Sequence, residues 1–449
     1  MDTTLFPAII IAYIGHFAPY FPANNFIYFR AMMLAYMLLG QARKCVTNIA
    51  SVSFFVERHI SSWERFISQH QWDLSSVKKR LVTLLMEQLG DKLLIYGGYL
   101  ACVDTTFATK VQGEMPGVQK WHDHSSNPDR GEHLIGHHWA IVALVGTTTL
   151  AGKWTILCFP LLANLISGTT NSIGFFVTPQ GVTQVMDFWS SVCPLVAQLF
   201  EMMGRHPMRV VADAYFSKAT FINWMLSLPV HVITRMRKDA VGWDSPKQKR
   251  LQPNGKKKKG PKPKRGKKWK IASLIKNFPL ETVTVFIYGK VQTLHVVTRY
   301  LWIRGVESQK VKVVVIKTQK EPIILLSTDL SLSAREIIHI YAMRFSLEIG
   351  IRDAKQHFGF THYQSTGFLG ITRSVALCLV SFCLWRLTAL KEMNADWLKE
   401  QKASSALSFH KISRALRQLV IQRIFENSAS EAEFQNSTAV PEEILRMVA

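Results

Sequence analysis

The stretch SAREIIHIYAMRFSLEIGIRDAKQHFG, residues 333–359, decides how the rest of the chain is read. Ser333 and Glu336 stand three positions apart ahead of an apolar run. That is the pattern of a capping box, in which each side chain bonds the other residue's backbone amide. Gly359 closes the pattern, so the spacing predicts one helix from Ala334 to Phe358. Ile337, Ile338, Ile340, Phe345, Leu347 and Ile351 give it apolar contacts over much of its surface, as expected of a helix wedged into a core. At about 3.6 residues per turn, Tyr341, Arg344, Glu348 and Lys355 fall within roughly 60° of one another. One acid, two cations and a phenol thus share a face. A solvated stripe is the ordinary explanation of such a face; a cleft is the other, and it calls for further acids elsewhere in the chain. Asp353 lies about 140° from Glu348 around the axis and faces away from that stripe.

Two upstream acids close apolar runs. Leu94-Ile95-Tyr96 and Tyr99 to Val103 read as a buried strand that delivers Asp104, and Met208 to Ala212 as a second that delivers Asp213. Between them lie a polar segment from Thr105 to Glu132, strand-like runs at Trp139–Val145 and Trp154–Phe159, and helical spacing from Gln184 to Met203. Ser217 opens a short helix through Leu226, and a fifth strand follows at Val230–Thr234. Taken singly, each aspartate is equally well a turn or helix cap.

Tyr, two residues, Arg, three residues, Glu, six residues, Lys: at all four positions this chain resembles one large group of bacterial insertion-sequence transposases, the DDE type with the Tyr-Arg-Glu-Lys signature. The resemblance implies an α/β fold with a ribonuclease H-like catalytic core and a β-rich insertion, preceded by a helical DNA-binding domain and followed by C-terminal helices. It implies that the strands ending in Asp104 and Asp213 lie side by side. Asp104, Asp213 and Glu348 are then the catalytic metal ligands, with Tyr341, Arg344 and Lys355 orienting a DNA strand. Hard carboxylate oxygens suit Mg²⁺ or Mn²⁺, and two such ions can drive an in-line phosphoryl displacement without a protein nucleophile.

Composition agrees with a polyanionic partner. The 449 residues carry a formal charge of +23, a field that attracts phosphate backbones and releases their counterions. Six cysteines at irregular spacing, with no Cys-x-x-Cys pair, read as reduced thiols of a cytoplasmic protein. The apolar run Ser374–Trp385 is bracketed by Arg373 and Arg386, so at about 12 residues it is too short to span a bilayer. No membrane partner is expected.

Residues 1–92 read as helical. Capping patterns begin at Ser61 with Glu64 and at Ser75/Ser76, and Arg43, Lys44, Arg58, Arg65, Lys78, Lys79 and Arg80 decorate the helices. Both an end-binding helix-turn-helix-like domain and a plain basic bundle fit. Residues 93–235 and 333–390 form the expected catalytic core. The insertion, 236–332, opens on the tract Lys256–Lys270, a solvated loop whose Lys257, Lys258, Arg265 and Lys268 are candidate phosphate contacts. It continues as sheet: Thr282–Tyr288, Val291–Trp302 after a Gly289 turn, Lys312–Ile316 and Ile323–Leu326. Trp302 is the candidate for base stacking by the resemblance, and an ordinary core tryptophan otherwise. Residues 391–449 hold a final helix, Ala406–Phe425, and a tail. His122, His124, His133, His137 and His138 match no closed zinc spacing, and His137 and His138 fall on opposite faces of a strand.

The function expected is that of a DNA transposase. It would bind terminal inverted repeats and target DNA, pair as a homodimer in a synaptic complex, and cut and paste with Mg²⁺ or Mn²⁺. The alternative is an inactive or domesticated DNA-binding protein derived from one.

Overall fold

The computed structural model describes residues 4–40, 42–53, 56, 58–111, 115–122, 133–150, 152–166, 174–178, 181–185, 188–246, 265–392 and 409–430. Five helices come first: α1 (Ala8–Gly15), α2 (Ala23–Leu38), α3 (Val46–Val52), α4 (Ile60–Ser68) and α5 (Leu74–Leu89). Strands β1 (Leu94–Ile95), β2 (Gly98–Thr109), β3 (Gln119–His122), β4 (His133–Leu150), β5 (Lys153–Ile166), β6 (Gly174–Thr178) and β7 (Gly181–Val185) lead to α6 (Phe188–Met202). Then come β8 (Met208–Ala212), α7 (Ala219–Ser227), β9 (His231–Met236), β10 (Val241–Trp243), β11 (Lys268–Lys270) and α8 (Leu274–Asn277). The chain continues with β12 (Glu281–Ile287), β13 (Lys290–Ile303), β14 (Val306–Ile316) and β15 (Ile323–Ser327). It closes with α9 (Ala334–Met343), α10 (Phe345–His357), α11 (Phe368–Lys391) and α12 (Phe409–Ser430). This is a mixed α/β fold with a large sheet. Its contacts divide into two compact units.

The first unit takes residues 1–92, 105–204 and 347–449. Its helical part is organised around α11, which packs against α1, α2, α4, α5 and β5. A helix apolar on every side has to be buried, and α11 and α2 both are. Phe21, Phe29, Phe66 and Trp72 fill the space beneath them with ring centroids 4.6–6.2 Å apart. The expected 12-residue run is therefore part of a 24-residue helix. By length and composition it could cross a membrane, but 78% of its most apolar window is buried within the protein.

Two helix starts differ from the sequence reading. α4 is capped by His59, whose side chain accepts the Ser61 N–H, instead of by a Ser61–Glu64 box. α5 is capped by Asp73, which accepts the Ser75 and Ser76 amides at 2.8 and 3.1 Å. In both cases a stronger acceptor two residues earlier takes the orphan donors. β7 occupies positions expected to open a helix, because Val182, Thr183 and Val185 follow Gly181 as a short β-branched run; α6 begins only at Phe188. β4 and β5 form one long antiparallel ribbon, bulged between Val142 and Ala143.

The second unit takes residues 93–104 and 205–346. Its strands run in the order β11-β10-β13-β14-β15-β9-β8-β2, with β12 paired to β13. β2, β8 and β9 are parallel; β12 to β15 are an antiparallel meander that continues the same sheet through β15 on β9. The β12–β13 turn is Tyr288-Gly289, both at positive φ, +52° and +77°, the two-residue geometry whose twist suits a hairpin. Lys268–Lys270, expected within a solvated loop, pairs with β10 as β11.

The capping box at Ser333 and Glu336 is present, with Ser333 N–H to Glu336 Oε2 at 2.7 Å. The single expected helix is not. It breaks at Arg344, whose N–H bonds Tyr341 O at 3.2 Å, a three-residue return that tightens the turn. The break leaves Phe345 48% exposed, where a core contact was expected. Gly359, at φ +74°, ends α10 as expected.

Candidate active site

The parallel register of β2 and β8 runs from Tyr99↔Met208 to Val103↔Ala212. Asp104 and Asp213 each follow that last pair by one residue, so their backbones stand about one strand spacing, ~4.8 Å, apart. Strand ends of a parallel sheet open onto a crevice, and both aspartates are half-buried there. Asp104 is not the end of its strand, as β2 continues to Thr109.

Asp213 is held twice. Its Oδ1 accepts the Tyr215 N–H at 2.9 Å, and its carbonyl accepts the Thr234 hydroxyl at 2.6 Å. The cap reading of this residue holds, and the cap fixes the carboxylate. Asp104 Oδ2 accepts Arg344 Nη1 at 3.3 Å, with both side chains less than one-fifth exposed. The Arg344 guanidinium also lies 5.8 Å from the Tyr341 ring centroid. Burial raises the Tyr341 phenol above its ordinary range, against the pull of Arg344 and Arg235, and Asp213 pushes the same way as burial. The second unit therefore gathers Asp104, Asp213, Tyr341 and Arg344.

Arg235 is a member of this group that the sequence reading passed over. It follows Thr234, the β9 partner of Ala212, and its side chain is exposed. Its signal was a cation closing an apolar strand, legible only once β9 is known to lie beside β8.

Glu348 and Lys355 stand in the first and last turns of α10, seven residues and about 20° apart on one face. Gly350 lets this helix lie against β5, since a Cβ there would stand 3.3 Å from Cys158 Sγ and from Pro160. Glu348 is exposed, and both residues belong to the first unit. Asp353 engages Arg352 at 3.4 Å. Among the described residues, no three His, Cys, Asp or Glu side chains form a ready metal cluster.

Trp302 is half-buried and pairs in register with Trp243. Its indole nitrogen is buried with no hydrogen-bond partner among the described residues. Arg265 lies 4.5 Å over the Trp243 ring, and Lys268 is exposed on β11. Lys257 and Lys258 lie outside the described residues.

His137 and His138 of β4 are core residues. His137 shares Nδ1 with the Tyr363 hydroxyl at 2.7 Å and Nε2 with the Pro116 carbonyl at 2.9 Å. His138 stacks on Phe107 with centroids 4.3 Å apart. Burial pushes both imidazoles down to about 4. His124 lies outside the described residues.

A mixed α/β fold that sets two aspartates on adjacent strands is consistent with a DDE nuclease. Residues 16–286 match the family model described as DDE superfamily endonuclease, and residues 190–384 match Transposase DDE domain. The first match spans more than half of the chain, which belongs to this family and is a DDE-type transposase. No curated protein matches the chain.

Proposed function

We infer that the protein binds the terminal inverted repeats of its own insertion sequence, cleaves the strands at those ends and joins them to target DNA by a cut-and-paste route. One observation carries the reading: the parallel pairing that stops one residue short of both Asp104 and Asp213. Residues 93–235 and 333–390 are then a ribonuclease H-like core, 1–92 an end-binding helical domain, 236–332 the insertion and 391–449 a C-terminal region. The partner is DNA, toward which a formal charge of +23 draws the chain. The working form is a homodimer in the synaptic complex, and the compartment is the cytoplasm.

Asp104, Asp213 and Glu348 are the proposed metal ligands. The donor set fits Mg²⁺ or Mn²⁺, being carboxylate oxygen without thiolate or imidazole. Two such ions, when bound, supply activation of the attacking oxygen and stabilisation of the leaving one. The side chains around them do the positioning. Arg344 fixes the Asp104 carboxylate at 3.3 Å. Arg235 and Arg344 offer planar forks to phosphate, and Lys355 a point charge. Tyr341 keeps its proton, because burial raises its phenol, and so donates to a phosphate oxygen.

The test combines purified protein, Mg²⁺ and a DNA fragment bearing the repeats that flank its own gene. Cutting is expected at the repeat ends. Asp104→Ala, Asp213→Ala and Glu348→Ala should each slow it by about 10²–10³-fold or more, with end binding retained in a gel shift. Variants that cut as well as the wild type overturn the assignment. End binding without cutting by the wild type identifies a DNA-binding protein that no longer turns over.

A further inference from the structure

The histidines of β3 and of the start of β4 differ from the buried pair at His137 and His138. His122 and His133 are directly opposed across the antiparallel β3–β4 ladder. Their ring centroids are 5.6 Å apart, with planes at 69°, and both side chains are exposed. Two imidazoles sharing one ion through bonds of about 2.0–2.1 Å, opened near the tetrahedral angle, hold their centroids about 5 Å apart. The rings therefore stand close to chelating distance without any backbone movement.

The ladder beneath them is anchored. Trp121, on the opposite face of β3, donates its indole N–H to the Gly136 carbonyl at 3.0 Å and packs on His138 with centroids 4.8 Å apart. This fixes the strand register, and with it the separation of the two imidazoles. On their own face the next rung is Lys120 opposite Ile135, which brings a cation and no further ligand.

We propose that His122 and His133 form a two-imidazole chelate for one borderline divalent cation, Zn²⁺ or Cu²⁺. Imidazole nitrogen suits these ions and not the hard Mg²⁺ suited by carboxylates, so the site is chemically separate from the aspartate pair. Two imidazoles leave further coordination positions on such an ion for other donors.

The experiment uses the full-length, untagged and metal-stripped protein without DNA, above the imidazole range of about 6.5. Calorimetry with Zn²⁺ should show a site of one equivalent, and electron paramagnetic resonance with Cu²⁺ should show hyperfine coupling to two nitrogens. His122→Ala and His133→Ala should each weaken that site by more than about tenfold, the size of effect that even the outer partners of a metal-bound histidine carry. Each should also remove one coupled nitrogen. Lys120→Ala, which removes only a repelling charge from the same face, should not weaken it. Absence of the site in the wild type overturns the proposal, as do equal affinities in the wild type and both histidine variants.

Discussion

In the unit that holds the N-terminal helices, four cations donate to carbonyl oxygens. Arg373 donates to the carbonyls of Ile67, His70 and Trp72 at 2.8–3.2 Å while lying 4.1 Å over the Trp72 ring. Lys110 reaches the carbonyls of Thr361 and Tyr363, Arg423 those of Thr4 and Phe6, and Lys44 those of Gly40 and Ala42. In the other unit, three arginines meet carboxylates, Arg344 on Asp104, Arg209 on Asp329 and Arg299 on Asp244, although Arg209 also reaches the carbonyls of Ile95 and Tyr96 and Lys312 that of Leu332. The first arrangement closes off orphan acceptors at helix ends and loops. The second keeps charge paired with charge, and one such pair, Arg344 on Asp104, stands beside the aspartate crevice. A formal charge of +23 counts both alike, so it says that a polyanion is attracted without saying where. Lys44 and Lys78, two of the basic residues that pointed to a DNA-facing surface in the first 92 residues, are buried, and Arg80 is committed to Glu87 at 2.8 Å.

The contrast can be broken most sharply at Arg373. Arg373→Met strands three carbonyls, each worth about 1 kcal/mol or more as a bond to a charged donor, and should lower unfolding free energy by about 3 kcal/mol or more. Urea denaturation measures this. A loss below about 1 kcal/mol would erase the distinction between structural and surface cations.

Acidification acts through the histidines packed in that same unit. Because His137 and His138 stay neutral down to about 4 when folded and protonate near 6.5 when unfolded, their contribution is complete above about 6.5. It is lost as the pH falls from there toward 4, by about 1.4 kcal/mol per pH unit for each group. His138→Phe should flatten the dependence of the urea midpoint on pH across that window. An unchanged slope would show that its imidazole is solvated.

The smallest stability change is expected at Arg344, whose proposed role is to grip phosphate beside the aspartates. Arg344→Ala should cost less than about 1 kcal/mol in unfolding, as partly exposed ion pairs do, yet reduce end cleavage by about a hundredfold. Equal losses of stability at Arg344 and Arg373 would mean that the two units use their cations in the same way.

Much of this was legible in advance where the signal is local. β8 and the Ser333 capping box fall where an apolar run and residue spacing put them, as does the Gly289 hairpin turn, because apolar runs, caps and left-handed turns depend on neighbours a few residues away. Three features were not legible. The caps at His59 and Asp73 displaced the expected candidates by two or three positions. The break at Arg344 is invisible to a face count that assumes a straight helix. Arg235 joined the site only through strand order.

Residues alone supplied two aspartates closing apolar runs and the Tyr341, Arg344, Glu348 and Lys355 spacing, since side-chain chemistry and periodicity are properties of short segments. Tertiary structure decided that β2 and β8 run parallel in a register that halts just before both acids, that Arg344 turns onto Asp104, and which cations are spent on buried carbonyls. Those outcomes depend on pairings between segments more than a hundred residues apart, and the free energy of such a pairing lies in the partner that packing selects, which no single segment encodes.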